Sequence, residues 1–467
     1  MRFYPLLKKP LISKKKCLSL FFFISIFLFC VFYLYFFRNI TDDELYNYGY
    51  AHNILNHLVP YRDFNMIVPP LFAYLCALFQ FVLGDKLIVY HIVISLLITS
   101  IFFLAYSKLG YPSIVILVFS LFYPFAGYNV LSLFLLFLLL SVKGKKHGET
   151  LSSVIIILLI LTKQTFALFM IPNLLETKNL KRTILIYLVG IFCSLLYFVC
   201  FDNLFSFINY CFLGMFDFTS SNYYSGGVLL WIECFFLFYL FVYYLRYRDI
   251  QALYIALFQI VVFPIVDFFH FCIGVIPVIY FLFKKFRFNP FIHHLLFVFF
   301  FTIACTFHFV MISKIQYEYL GHYSTKNFMY LRLVSNNAAS NVQKIREEIE
   351  TNSSLTVFFL GTDAYFMKLN LDIPIHQFDN INNGNMGYHG VEKYISKIKN
   401  ICQVKKCMFV FNDKEATGAR PTQTNKIILN YVKDNYFQYY SSASFDLYKN
   451  FVSTRLKCCS NINYVII

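Results

Sequence analysis

Long apolar runs, separated by short basic or polar stretches, dominate the chain. The first covers 18–37 and follows Lys8, Lys9, Lys14, Lys15 and Lys16. As a helix it is about 30 Å long, enough to cross a bilayer. A secretory signal has a shorter apolar core and a small-residue cleavage site, so the run predicts an uncleaved first membrane helix that starts in the cytoplasm. Further apolar runs predict spans over 87–106, 111–125, 127–142, 183–201, 228–245 and 291–312. Pro69-Pro70 opens another apolar stretch ending at Gly84. A proline pair suits a helix start better than a helix interior, and this stretch is predicted to lie along the membrane surface.

Two longer runs admit two readings. Residues 151–175 form either one span with Lys163 at its centre or a tight hairpin with Thr162-Lys163-Gln164 at the turn. A charge at mid-bilayer costs several kcal/mol. Cytoplasmic loops carry an excess of Lys and Arg. Only the hairpin leaves Lys178/Lys181/Arg182, Arg246/Arg248 and Lys284/Lys285/Arg287 all on the cytoplasmic side. The same reasoning makes 251–283 a hairpin with Asp267-Phe-Phe-His270 at its apex. Short spans of this kind are tolerated where protein surrounds them.

The expected fold is an α-helical polytopic membrane protein of about 11 spans with a small extracytoplasmic α/β C-terminal domain. The expected organisation is a basic cytoplasmic N-terminus, 1–16, a transmembrane domain, 17–313, with an acidic first outer loop, 38–86, and the C-terminal domain, 314–467. That last part turns rich in Asn, Lys, Ser and Asp. It predicts helices at 342–349 and 426–432 and strands at 355–360 and 407–411, an alternation that suits a small α/β layer structure.

Composition excludes the competing classes. The chain has 467 residues, 59% of them hydrophobic and 14% charged, against about 25% charged in an average soluble chain. A soluble fold of this size cannot hide so much apolar surface. The net charge of +16 sits mostly in clusters between apolar runs, which fits membrane orientation better than nucleic-acid binding. Nine of the 13 cysteines lie in or beside apolar runs and read as small buried thiols. Cys402, Cys407, Cys458 and Cys459 match no zinc spacing. A Cys402–Cys407 disulfide is open to the chain if the tail lies outside.

This threading carries three polar sets to one face: Asp42, Asp43 and Glu44 after the first helix, Lys163 and Gln164 at one hairpin tip, and Asp267 and His270 at the other. Ionisable groups at membrane depth usually mark function, and carboxylates beside a lysine and a histidine could supply a base and bind an anion. Each set also has a plainer reading. The acids suit a helix cap and first turn. Lys163 could snorkel to headgroups. His270 could be a core histidine, or pair with Asp267 three residues away. Gly384, Gly387 and Gly390 read as loop glycines, without the strand–turn–helix context of a phosphate loop.

The first outer segment is the more specific signal. Asp43-Glu-Leu-Tyr-Asn-Tyr-Gly-Tyr-Ala-His-Asn-Ile-Leu, then Val59-Pro-Tyr-Arg-Asp-Phe, then Pro69-Pro-Leu-Phe-Ala-Tyr-Leu resembles the bacterial branch of the protein O-mannosyltransferase and aminoarabinose-transferase type of membrane glycosyltransferase, which has the GT-C fold. Leu161-Thr-Lys-Gln and Asp267-Phe-Phe-His are similar to elements of that branch. The resemblance implies catalysis on the outer face, polyprenyl-phosphate sugars as donors, and acceptors ranging from proteins to lipids and glycans. It implies that Asp43 acts on the acceptor hydroxyl, with Glu44 as its motif neighbour. Some members carry a second acid after the third span. Here that loop reads Pro124-Phe-Ala-Gly-Tyr-Asn129 and has none, which leaves Asp63 or Asp267 for the role.

The residues agree with that chemistry. Breaking a sugar–phosphate bond builds negative charge on the leaving oxygen, and a fixed cation there favours the transition state. Lys163 or Arg62 could serve. A carboxylate within reach can take the acceptor proton, and one displacement inverts the anomeric centre. Arg62, Asp63, Lys163, Gln164, Asp267 and His270 are therefore the expected donor-phosphate and substrate groups, and Asp43 and Glu44 the catalytic ones. No cofactor is expected, although Asp42, Asp43 and Asp267 could hold a divalent metal. The expected partners are a polyprenyl-phosphate-linked sugar, a glycan, lipid or protein acceptor, and membrane lipids, in the cell (inner) membrane. A glycan polymerase or ligase is the alternative within the class, but residues 202–227 contain no Arg or Lys, unlike the Arg-rich late loop of such enzymes. A lipid-linked-sugar transporter predicts two similar halves, and no internal repeat is visible.

Overall fold

The computed structural model describes residues 14–36, 42–122, 127–214, 227–260, 268–286, 289–318, 336–351, 355–361, 368–371, 373–376, 387–412, 423–441 and 446–450. In chain order the membrane part is α1 (Lys14–Phe36), α2 (Asp42–Leu55), α3 (Leu71–Leu83), α4 (Leu87–Leu109), α5 (Ser113–Phe122), α6 (Gly127–Val142), α7 (Gly148–Thr162), a 3-10 helix (Gln164–Phe169), α8 (Met170–Glu176), α9 (Leu180–Cys200), α10 (Leu204–Ile208) running into a π turn (Asn209–Leu213), α11 (Gly227–Tyr247), α12 (Ile250–Gln259), α13 (Phe268–Lys285) and α14 (Pro290–Glu318).

Four described segments are long and apolar enough to cross a membrane: Leu18–Phe36 of α1, α4, α9 and α11. Of these α4 is mostly buried, while the others turn most of their surface outward. Outward rows such as Leu18, Phe21 and Leu28, or Leu185, Leu188 and Phe192, make apolar surface far beyond what a water-soluble monomer shows. The shorter helices α5, α6, α12 and α13 fall below the roughly 20 residues of a lipid-facing span, and neighbours enclose them. The protein is a multi-pass membrane protein.

Both predicted hairpins form. Across the first, Asn173 Nδ2 donates to Ser153 Oγ at 3.0 Å and Thr177 Oγ1 donates to Glu149 Oε2 at 3.0 Å. These pairs are symmetric about Lys163, which is the turn. Across the second, Lys284 Nζ donates to Gln251 Oε1 at 2.5 Å and Gln259 Nε2 reaches the carbonyl of Gly274. As a result one end of the bundle gathers the basic clusters. There Lys143 pairs with Glu176 and lies 4.0 Å over the Tyr254 ring, and Lys285 lies 4.9 Å over Tyr243.

The opposite end holds α2, α3 and the hairpin turns. Within the predicted outer segment after α1 the chain is helical from Asp42 to Leu55. Its acids sit in the first turn of α2, the plainer of their two readings, where carboxylates complement the positive end of the helix dipole. The helix α3 stays at this end, because Phe72 meets Tyr90 while the turn after Leu83 meets α2. Gly84 (φ +96°) and Gly110 (φ +71°) end α3 and α4. Their left-handed backbones let their amides close onto Gln80 and Tyr106 at 2.8 and 2.9 Å, a termination that favours glycine.

The C-terminal part has α15 (Asn336–Thr351), β1 (Leu355–Gly361), α16 (Gly390–Cys402), β2 (Lys406–Asn412), α17 (Gln423–Asn435), β3 (Phe437–Ser441) and β4 (Asp446–Asn450). The sheet order is β1-β2-β4-β3, with β1/β2 parallel and the other pairs antiparallel. Strand alternation splits its core. Phe358, Leu360, Cys407 and Phe409 pack on α16 and α17, while Phe359, Met408 and Val410 pack on Ile345 of α15. Of these elements α16, β3 and β4 were not predicted, and Gly390, read as a loop glycine, is the first residue of α16. Cys402 and Cys407 form a disulfide, with their Cα atoms 5.6 Å apart.

Candidate functional site

The stretch that begins with Asp43-Glu44 folds as one amphipathic helix with two polar faces. Glu44, Tyr48, His52 and Asn56 recur every four residues and form one stripe. Glu44 Oε1 lies 2.8 Å from His91 Nε2 of α4. Tyr48 donates to Asp85 Oδ1 at 2.8 Å, and His52 Nδ1 meets Asp85 Oδ2. Asn56 Nδ2 lies 3.1 Å from His52 Nε2. If Asn56 donates there, the ring proton is left on Nδ1, facing the carboxylate. The stripe thus anchors α2 to α4 and to the turn before it. The four-residue spacing was a signal that the sequence reading did not use, and the partners His91 and Asp85 were missed as well. His91 had a signal, a histidine inside an apolar run.

Asp43 lies on the other face. It is partly buried, and its charge acts on the hydroxyls of Tyr46 and Tyr90. Tyr46 is hydrogen-bonded to Tyr128, and the Gly127 amide donates to Tyr90. The starts of α2, α4 and α6 therefore converge around this carboxylate. Close approach requires glycine at 127, since a Cβ there would sit 2.1 Å from Phe72 Cζ. The two acids that sequence reasoning grouped together are physically distinct: Glu44 is enclosed against His91, while Asp43 is only partly buried. Asp42 begins the helix.

Residues 56–70 form a folded lobe between α2 and α3. His57 (φ +62°) and Tyr61 (φ +66°) turn the chain sharply. Tyr61 donates to the Val68 carbonyl and packs on Phe198 and Phe207, and Asn203 Nδ2 donates to the Pro60 carbonyl at 2.7 Å. Asp63 accepts from the Val59 amide at 2.7 Å and from Arg62 Nη2 and Nε at 2.8 and 3.0 Å. The Arg62 guanidinium holds this carboxyl below the usual carboxylate range. Both oxygens of Asp63 are thus engaged in shaping the lobe. Arg62 remains half-exposed, and its charge reaches Tyr197, whose hydroxyl meets that of Tyr74 on α3.

The first hairpin turn docks against this lobe. Lys163 is extended (φ −154°, ψ 124°) and breaks the helix between α7 and the 3-10 helix. Gln164 Nε2 donates to the Cys211 carbonyl at 2.6 Å and lies 3.4 Å from that of Ile67, tying the turn to the lobe and to the π turn. Lys163 is partly buried, and desolvation pushes its ammonium down to about 8. His270 is half-buried in the first turn of α13, at the tip of the second hairpin. Asp267 lies outside the described residues. The C-terminal part closes over this end, where Asn53 Nδ2 donates to the Ile375 carbonyl at 2.8 Å and Asn53 Oδ1 accepts from the Ile375 amide at 3.4 Å. Among the described residues no group of three His, Cys, Asp or Glu side chains converges in a way that could hold a metal.

A further ionisable residue went unnoticed in the sequence. Glu233 of α11 is fully buried, and its carboxylate has no hydrogen-bond partner among the described residues.

No protein-family model and no curated protein matches the sequence. Solved structures do match. The crystal structure of ArnT from Cupriavidus metallidurans bound to undecaprenyl phosphate superposes with a TM-score of 0.53 at 12% identity, covering 94% of this chain and 99% of that one. The apo structure of the same protein gives a TM-score of 0.52 at 12% identity, covering 93% and 98%. The shared architecture is the GT-C fold.

Proposed function

We propose that the chain is an integral-membrane glycosyltransferase that moves a sugar from a polyprenyl-phosphate donor to a hydroxyl of a lipid, glycan or protein on the outer face of the membrane. One observation carries this reading. Asp43 is a partly buried carboxylate at the meeting point of three helix starts, on the bundle end that also holds Lys163 and Arg62. The fold it shares with a protein crystallised with undecaprenyl phosphate supports a polyprenyl-phosphate lipid as the donor carrier. The Cys402–Cys407 disulfide suits an oxidising compartment, which supports placing this end and the tail outside.

In the proposed reaction Asp43 accepts the proton of the acceptor hydroxyl as its oxygen attacks the anomeric carbon. The bond from that carbon to the phosphate oxygen breaks, and the polyprenyl phosphate leaves with the bonding pair. Lys163 and Arg62 neutralise the charge growing on that oxygen. A single displacement inverts the anomeric centre. Glu44, Asp63 and Gln164 act through their partners, as positioning residues. His270 and Asp267 are assigned to the sugar or the acceptor at the second hairpin tip.

The test uses purified protein in nanodiscs with labelled lipid-linked sugar. Asp43→Asn should lower transfer by roughly 10²–10⁴-fold at unchanged thermal stability. Transfer close to wild type would remove Asp43 as the base, and movement of the lipid across a vesicle membrane with no new glycosidic bond would replace transfer by transport.

A further inference from the structure

A cavity of about 220 Å³ opens at the basic end of the bundle, between the turn before α7 and the turn before α9. It is remote from the groups invoked above, which lie at the other end. Lys145, His147, Thr150, Arg182 and Ile186 are among the residues lining it. Neither Lys145 nor Arg182 is ion-paired to a described carboxylate. The acid in the lining is Glu149. It is engaged elsewhere, accepting from Thr177 Oγ1 at 3.0 Å and from the amides of Lys178 and Asn179. Asn179 in turn caps α9 through the Arg182 amide at 3.1 Å. The local bonding is therefore complete without the two cations.

The walls beside this opening are apolar and face outward. Leu151 and Val154 on α7 and Ile184, Leu185 and Leu188 on α9 are between 41 and 62% exposed, and Ile186 lines the cavity itself. A polar, cationic pocket beside a lipid-facing wall fits a molecule with an anionic head and hydrocarbon tails. Basic pockets between membrane helices on the cytoplasmic side bind such headgroups.

We infer that this pocket holds the phosphate headgroup of an anionic membrane phospholipid, with Lys145 and Arg182 against the phosphate and the acyl chains along α7 and α9. The phosphate chemistry is shared with free inorganic phosphate, and the wall of exposed apolar side chains favours the lipid.

Native mass spectrometry of the full-length protein, titrated with phosphatidylglycerol or phosphatidylcholine, tests this. Wild type should retain phosphatidylglycerol in preference to phosphatidylcholine. Lys145→Gln/Arg182→Gln should weaken phosphatidylglycerol retention by roughly 30-fold. Both side chains are exposed, so the fold should survive, and an unchanged thermal midpoint checks this. Lys145→Arg, which keeps the positive charge, should retain phosphatidylglycerol as wild type does. Three outcomes would overturn the inference: equal retention of the two lipids, an equal loss with Lys181→Gln, whose side chain lies outside the lining, or displacement of the lipid by inorganic phosphate at matched concentration. The last would assign the pocket to free phosphate.

Discussion

In the seam between α2 and α4, Oε1 of Glu44 lies 2.8 Å from Nε2 of His91, and each side chain is only 1% exposed. Removing one partner of a buried pair leaves a group without its counterpart, at a cost of about 3–5 kcal/mol, while replacing both by apolar residues is often near neutral. Glu44→Leu and His91→Leu should each lower the thermal midpoint in detergent strongly, and the double variant should recover most of the loss. Additive losses would show that the pair does not hold α2 in place.

Gln164 gives a graded test of the hairpin turn. Gln164→Leu removes the donor shared by the Cys211 and Ile67 carbonyls and should cost about 1–3 kcal/mol. Gln164→Glu sets a carboxylate against the same carbonyls and should cost more. A Glu variant as stable as wild type in thermal unfolding would contradict the observed bonding.

Lys163 predicts a pH limb. Burial lowers its ammonium to about 8, so the cation is present below that value and is lost as pH rises through it. If Lys163 neutralises the leaving phosphate, kcat/KM for sugar transfer should fall as pH rises through about 8. Lys163→Arg, whose guanidinium stays charged, should abolish that fall. A limb unchanged by the Arg variant would assign it to another group.

The arrangement of the two bundle ends is open to labelling in a background without free cysteines. Arg62→Cys and Lys285→Cys sit at opposite ends. A membrane-impermeant thiol reagent added to intact cells should label the first and spare the second. Equal labelling would break the proposed orientation.

Glu233 leaves a buried carboxylate without a described partner, a cost of about 1–3 kcal/mol or more for a charged group. Glu233→Leu should raise the thermal midpoint. If transfer falls as stability rises, the carboxylate serves the reaction; a lower midpoint would show that it is already satisfied.

Much of the fold was legible because a membrane imposes local rules. Run length marks spans, Lys and Arg mark one side, and a charge inside a run forces a turn. These rules found both hairpins from Lys163 and from Asp267-Phe-Phe-His270, and the Ser153–Asn173 and Gln251–Lys284 pairs bear the hairpins out. The helix α2 was read as a polar loop because the same acids suit an outer loop and a helix first turn. The strands β3 and β4 were missed because short polar-aromatic segments become strands only by pairing, β4 with β2 and β3 with β4.

The sequence by itself determined the membrane class, the alternation of spans and turns, and the end of the bundle at which the acids, Lys163 and His270 gather, since each follows from hydrophobicity and charge along a short stretch. Only the tertiary structure decided how those groups differ. Glu44 meets His91, Asp85 joins Tyr48 and His52, and Gln164 reaches Cys211, all through partners distant in the chain. Burial and pairing depend on what packs against a residue, so adjacent acids with the same intrinsic chemistry became one fully buried anchor and one partly buried carboxylate at the meeting of three helix starts.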